Sequence, residues 1–159
     1  MPMKADLWFP TVIWNDHLKD VNNTEIKEYV EKLAEEDKVG KVASNYGGWQ
    51  SKSFELLDQK PLAIERFIHT LQRCLNECTK MAGMPDLIIS DWWWNINYHK
   101  DYNQPHNHRD SVLSGVYYID VPEDSDSKIH FDREDEAQYY LPRYMPQRNQ
   151  ITAVRATYT

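Results

Sequence analysis

At Leu87 the hydrophobic period of this chain changes from helical to two, and no other feature restricts the fold as much. Upstream, Ile26, Tyr29, Val30, Leu33 and Ala34 recur at i, i+3, i+4, i+7 and i+8, which predicts one amphipathic helix over about 24–36. Asn23 or Thr24 can cap it, and Glu25 and Glu28 suit its positive N-terminal end. A second helix is predicted over about 61–81. Pro61 suits a first-turn position, and Ile64, Phe67, Ile68, Leu71, Leu75 and Cys78 share a face. Gly83 fits the C-terminal cap, and Pro85 blocks continuation. Downstream, Ile88, Trp92, Trp94, Ile96 and Tyr98 share one parity, while Ile89, Asp91, Trp93, Asn95 and Asn97 share the other. That alternation is a strand with one apolar and one mostly polar face.

The run 112–121 is apolar on both parities around Ser114-Gly115 and reads as a central strand. A polar PEDSDS turn leads to a third strand at 128–131, and 151–158 is a fourth candidate. At 7–14, LWFPTVIW is broken by Pro10, which fits an edge strand or an extended arm. Helices come first and strands after, with hairpin-sized connections. This order predicts an α+β domain with helices on one side of a largely antiparallel sheet, helical support at about 1–85 and the strand core at about 86–159.

Composition narrows the function. The 159 residues suit one domain with a sizeable core. The net charge is -7 and no Lys/Arg run exceeds two residues, so nucleic acid is not an expected partner. Trp 6 and Tyr 10 argue for a packed domain with aromatic-lined surfaces. Cys74 and Cys78 sit four apart in the helical pattern and read as small thiols, without a disulfide framework; a cytoplasmic protein is expected. No signal-like segment or apolar run near the ~20 residues of a membrane span is present.

Two adjacent glycines, Gly47 and Gly48, permit positive φ and present Trp49 from a tight turn; a core-capping role for that indole is favoured over a substrate-facing one. Core plus neighbouring surface is likewise favoured for Trp92–Trp94, and solvent for His69.

The chemistry concentrates in HNHRD. In an extended backbone residues i and i+2 face the same way, so His106, His108 and Asp110 would share a face. Either His106/His108 or His108/Asp110 could clamp one metal ion, and imidazole with carboxylate suits non-haem Fe(II) with positions left open. Solvent-facing histidines in a polar loop are the plainer alternative. No HExxH pairing or nucleophile elbow supports a hydrolase.

The chain resembles the 2-oxoglutarate/Fe(II)-dependent oxygenases found in marine phages and bacteria. The matching pieces are LWFPTVIW at 7–14, GGWQS at 47–51, WNINYHKDYNQPHNH at 94–108, LSGVYYI at 113–119 and IHFDR at 129–133. The resemblance implies a double-stranded β-helix (jelly-roll, cupin-like) core with N-terminal helices packed on one side, and Fe(II) and 2-oxoglutarate as cofactors. It also implies decarboxylation of 2-oxoglutarate coupled to hydroxylation of a small-molecule or peptide substrate, in the cytoplasm (the host's, if phage-encoded). His106 and His108 match the family's H-x-H, whereas Asp110 stands where many relatives differ. Tyr117 and Tyr118 match the cavity-lining strand, and Tyr118, which shares parity with His108, is the better candidate to hydrogen-bond 2-oxoglutarate. Asn97 and Asn103 match polar positions beside the pocket, Trp94 lines it, and Arg133 matches an arginine after the third strand that orders a loop, contacts a carboxylate or forms a structural salt bridge.

Such enzymes also use a late histidine followed by an arginine, and no histidine follows His130 here. The expectation is a β-helix incomplete at the C-terminus: a truncated enzyme in preference to a short form that lost catalysis or a site completed by a partner chain. An exposed half-barrel would favour a homodimer. Against the oxygenase stands a non-catalytic β-helix binding or interaction protein using the cavity of Trp94, Tyr117 and Tyr118.

Overall fold

The structure is a computed structural model describing residues 11–125, 127–133 and 155–158. It divides into two compact units, Met1–Ile119 and Asp120–Thr159.

In the first unit, helix α1 spans Asn23–Glu36 and helix α2 spans Leu62–Ala82. The cap of α1 is Asn22, one residue earlier than expected, and its side chain accepts the Glu25 amide. Asn23 is used elsewhere: its amide donates to the Ile119 carbonyl at 2.8 Å and its Oδ1 accepts the Tyr117 hydroxyl at 2.8 Å. Helix α2 ends as its sequence demands. Gly83 adopts φ 64°, its amide reaches the Lys80 carbonyl and Met84 reaches Thr79, the paired bonds that close a left-handed cap. Toward that end Thr79, not Cys78, is the fully buried residue.

The strands are very short and pair antiparallel, two by two. β1 (Asn45–Tyr46) pairs with β6 (Tyr102–Asn103), β2 (Trp49–Gln50) with β5 (Asn95–Ile96), and β3 (Phe54–Glu55) with β4 (Asp91–Trp92). The three ladders are nested, so 45–55 and 91–103 form one interrupted ribbon with α2 as the excursion between its arms. The expected order of helices before strands is thus corrected, because three strands precede α2. The predicted parity holds at the centre of the second arm, where Trp94 is buried and Trp92 and Ile96 are half-buried while Asp91, Asn95 and Asn97 face solvent. It fails at the ends, where Ile88 and Tyr98 are exposed. Residues 87–89 are held by the Gln72 side chain, which donates to the Leu87 carbonyl at 2.8 Å and accepts the Ile89 amide at 3.0 Å.

Ile26, Val30, Trp49, Ile64, Phe67, Ile68 and Trp94 form the core. Each such burial contributes roughly 1.5–3 kcal/mol before entropy is charged against it. Trp94 stacks on Phe67 with centroids 6.1 Å apart and meets Tyr29 edge-on at 6.3 Å. Its amide donates to Ser51 Oγ at 3.0 Å, and its carbonyl accepts the Ser51 amide at 2.9 Å. Trp49 is the core residue expected of it, and its indole donates to the Asp37 carbonyl at the end of α1 at 2.7 Å.

The run 112–121 is not a central strand. Among the described residues it has no ladder partner, and its burial alternates: Leu113, Tyr117 and Ile119 are half-buried, while Val112, Val116 and Tyr118 are exposed. One face packs on the core and the backbone is not taken into a sheet. Residues 11–14 carry no strand either, and 7–10 lie outside the described residues.

In the second unit, β7 (Ile129–Asp132) pairs antiparallel with β8 (Arg155–Tyr158), as the third and fourth strand candidates predict; 151–154 lie outside the described residues. Phe131 meets Tyr158 edge-on across one face. On the other face His130 Nδ1 lies 2.9 Å from Thr157 Oγ1, and Arg155 bonds both oxygens of Asp132. That hydrogen-bonded guanidinium holds the Asp132 carboxyl below its ordinary value. The α+β class stands, with the described strands paired antiparallel two by two. No helix among them is long and apolar enough to cross a membrane.

Candidate metal centre

The site is built outward from the end of the ribbon. After β5 the chain turns through 97–101, where Lys100 takes φ 74°, the Asp101 amide reaches the Tyr98 carbonyl at 3.0 Å and the Tyr98 amide reaches Asp101 Oδ2 at 2.9 Å. Gly47 and Gly48, at φ 70° and 62°, bring the opposite arm against this turn; a Cβ on Gly48 would lie 2.6 Å from Asn97 Oδ1 and 2.7 Å from the Ile96 carbonyl. β6 then pairs with β1, and the Tyr46 and Tyr102 rings stack at 5.0 Å. Immediately after β6 the Gln104 amide donates to the Ser44 carbonyl at 2.7 Å.

Two and four residues later come the histidines. His106 Nδ1 sits 2.6 Å from the Gln104 carbonyl oxygen. The His106 and His108 rings meet edge to face with centroids 4.8 Å apart, and His108 lies 5.5 Å from the Trp93 ring. The extended alternation stops there. The Ser111 amide bonds the His108 carbonyl at 3.1 Å, so Asp110 lies inside a turn and not two residues further along a strand. All three side chains are exposed. His108, Arg109 and Asp110 line an open groove of about 490 Å³ with Trp93, Asp91 and Ser90. Among the described residues no group of three or more His, Cys, Asp or Glu is gathered tightly enough to hold a metal ion. The structure therefore brings together two imidazoles, one of which, His108, shares its groove with the carboxylates of Asp91 and Asp110.

The other expected site residues separate. Tyr117 packs on Phe67 at 4.9 Å and its hydroxyl is committed to Asn23. Tyr118, on the opposite parity, is half-exposed, and desolvation raises its hydroxyl pKa above the ordinary value. Trp94 lies in the core, with its indole nitrogen buried and unpartnered among the described residues. Asn97 donates to Asn103 Oδ1 at 3.3 Å, and Asn103 donates to Ser44 Oγ at 3.2 Å. Arg133 is half-buried, one residue past β7 in the second unit. Sequence reasoning missed Ser44 and the groove wall at Trp93; the adjacent Gly47-Gly48 pair was the available signal that a close approach occurs here.

Imidazole and carboxylate donors without sulfur are compatible with non-haem Fe(II) as well as with other first-row metals. Residues 91–158, the stretch that carries both histidines, match the model of the family described as "Putative 2OG-Fe(II) oxygenase". LWFPTVIW and GGWQS lie outside the matched range. No curated protein and no solved structure matches the chain.

Proposed function

We propose that the protein is a 2-oxoglutarate- and Fe(II)-dependent dioxygenase acting on a small-molecule or peptide substrate, with the family's double-stranded β-helix as its core. The observation that carries this reading is the family match over a stretch in which two imidazoles approach to 4.8 Å. The donor set fits the metal: neutral imidazole nitrogens and a carboxylate oxygen are ligands Fe(II) accepts. His106 and His108 would hold it, with Asp110 as the carboxylate available from the adjoining turn. Iron held there would activate dioxygen, one oxygen atom ending in the succinate formed as 2-oxoglutarate loses carbon dioxide and the other in the hydroxylated substrate.

The chain's own groups orient and shield. The Tyr118 hydroxyl, protonated as any tyrosine is at neutral pH, is the candidate donor to a carboxylate of 2-oxoglutarate. Tyr117 supports that wall through packing. Asn97 and Asn103 hold the base of the ligand loop, and Trp93 offers an aromatic wall beside His108.

Anaerobic titration with Fe(II) and then 2-oxoglutarate, followed by succinate measurement in air, tests the reading. The expected result is a visible metal-to-ligand absorption band and succinate formation, both lost in the His106→Ala/His108→Ala variant. Stoichiometric iron retained in that variant, or no Fe(II) uptake by the unaltered chain, overturns it; the second outcome favours a non-catalytic binding protein.

A further inference from the structure

We propose that Ser44 and Asn103 are positioning residues for His106, fixing which of its ring nitrogens faces a metal. This inference rests on the assignment of His106 as a ligand. A carbonyl oxygen can only accept a hydrogen bond, so the 2.6 Å contact between the Gln104 carbonyl and His106 Nδ1 requires the proton on Nδ1. Neutral histidine in water favours the opposite tautomer. With Nδ1 protonated, the lone pair sits on Nε2, and Nε2 becomes the ligand atom.

The Gln104 carbonyl can impose that choice because the residue that bears it is anchored through the preceding peptide, while its own peptide runs into Pro105. The Gln104 amide donates to the Ser44 carbonyl at 2.7 Å, one residue after β6. The preceding side chain is clamped twice, since Asn103 donates to Ser44 Oγ at 3.2 Å and accepts from Asn97 at 3.3 Å. Register pairing of Asn45 with Asn103 and Tyr46 with Tyr102 sets the height of the clamp along the ribbon. The arm that contributes Ser44 lies outside residues 91–158, so the device comes from the part of the chain the family match does not reach. These are partly exposed polar contacts whose loss costs little folding energy, but the angular setting of one imidazole depends on them.

The test uses the full chain, ¹⁵N-labelled and metal-free, at a pH well above the ordinary imidazole range. Long-range ¹H–¹⁵N spectra should show His106 protonated at Nδ1. Ser44→Ala and Asn103→Ala should each shift it toward the Nε2-protonated form and weaken anaerobic Fe(II) binding about 10–100-fold, the usual effect of removing an outer-shell partner. Far-UV circular dichroism should stay unchanged, and Ser44→Thr, which keeps the hydroxyl, should restore both readouts. An Nε2-protonated His106 in the unaltered chain overturns the proposal, as does wild-type tautomer and affinity in both alanine variants. If the unaltered chain takes up no iron, the oxygenase reading fails, while the tautomer spectrum still decides the relay: a proton that leaves Nδ1 in the variants supports it and one that stays refutes it. Should Asn103→Ala not fold, Ser44→Ala alone decides by the same readouts.

Discussion

The run 112–121 is more apolar than 91–103, yet 91–103 is the segment taken into ladders. The difference lies in what each can pair with. Residues 91–103 have a second arm, 45–55, whose polar groups meet them at six register positions. Residues 112–121 have a core to lean on and, among the described residues, no arm beside them. Apolar content fixes which face turns inward, whereas a backbone partner decides whether a strand forms. The metal-binding candidates sit where the first condition gives way to the second, one turn beyond the last ladder.

The comparison breaks most visibly at Trp94, the residue on which the ribbon and both helices converge. Trp94→Ala should cost about 3–5 kcal/mol, read as a large drop in denaturant midpoint. A smaller effect separates two glycines. Gly48→Ala forces a Cβ against Asn97 and the Ile96 carbonyl at positive φ and should cost roughly 1–3 kcal/mol. Gly115→Ala meets nothing within 4 Å and should be neutral or stabilising by up to about 1 kcal/mol. Equal losses at the two positions would erase the distinction between clamped ribbon and free-standing run.

The smallest effect belongs to the second unit. Asp132 has a folded pKa below its ordinary 3.8, chiefly through the Arg155 hydrogen bond. A depressed carboxyl stabilises above the ordinary value and loses that contribution as pH falls through the folded one. Protection factors of the β7 and β8 amides, corrected for the intrinsic exchange rate, should therefore fall below about pH 4, and Asp132→Asn should flatten that dependence.

Both helices were legible because their stripes and the Gly83 stop are local signals. The cap of α1 was not, since Asn22, Asn23 and Thr24 are equivalent to a local reader and the choice was made by Tyr117 and Ile119, nearly a hundred residues away. Strands β1 to β3 escaped notice because two-residue ladders in a polar loop leave no periodicity. The His106/His108 pairing followed from spacing. The place of Asp110 did not, because a turn closing on His108 replaces the expected extension, and the Ser44 latch depends on contacts about 60 residues apart that no motif records.

The nested ribbon also has a kinetic meaning. Glu55 with Asp91 is the innermost pair around α2, and Asn45 with Asn103 the outermost. Closing the inner pair encloses a helix that forms locally, and each later pair then adds little loop entropy. Assembly should zip outward from α2, with transition-state φ-values falling from β3–β4 through β2–β5 to β1–β6. The histidine loop, sprung from the last pair to close, becomes competent only when the rest of the ribbon is already folded.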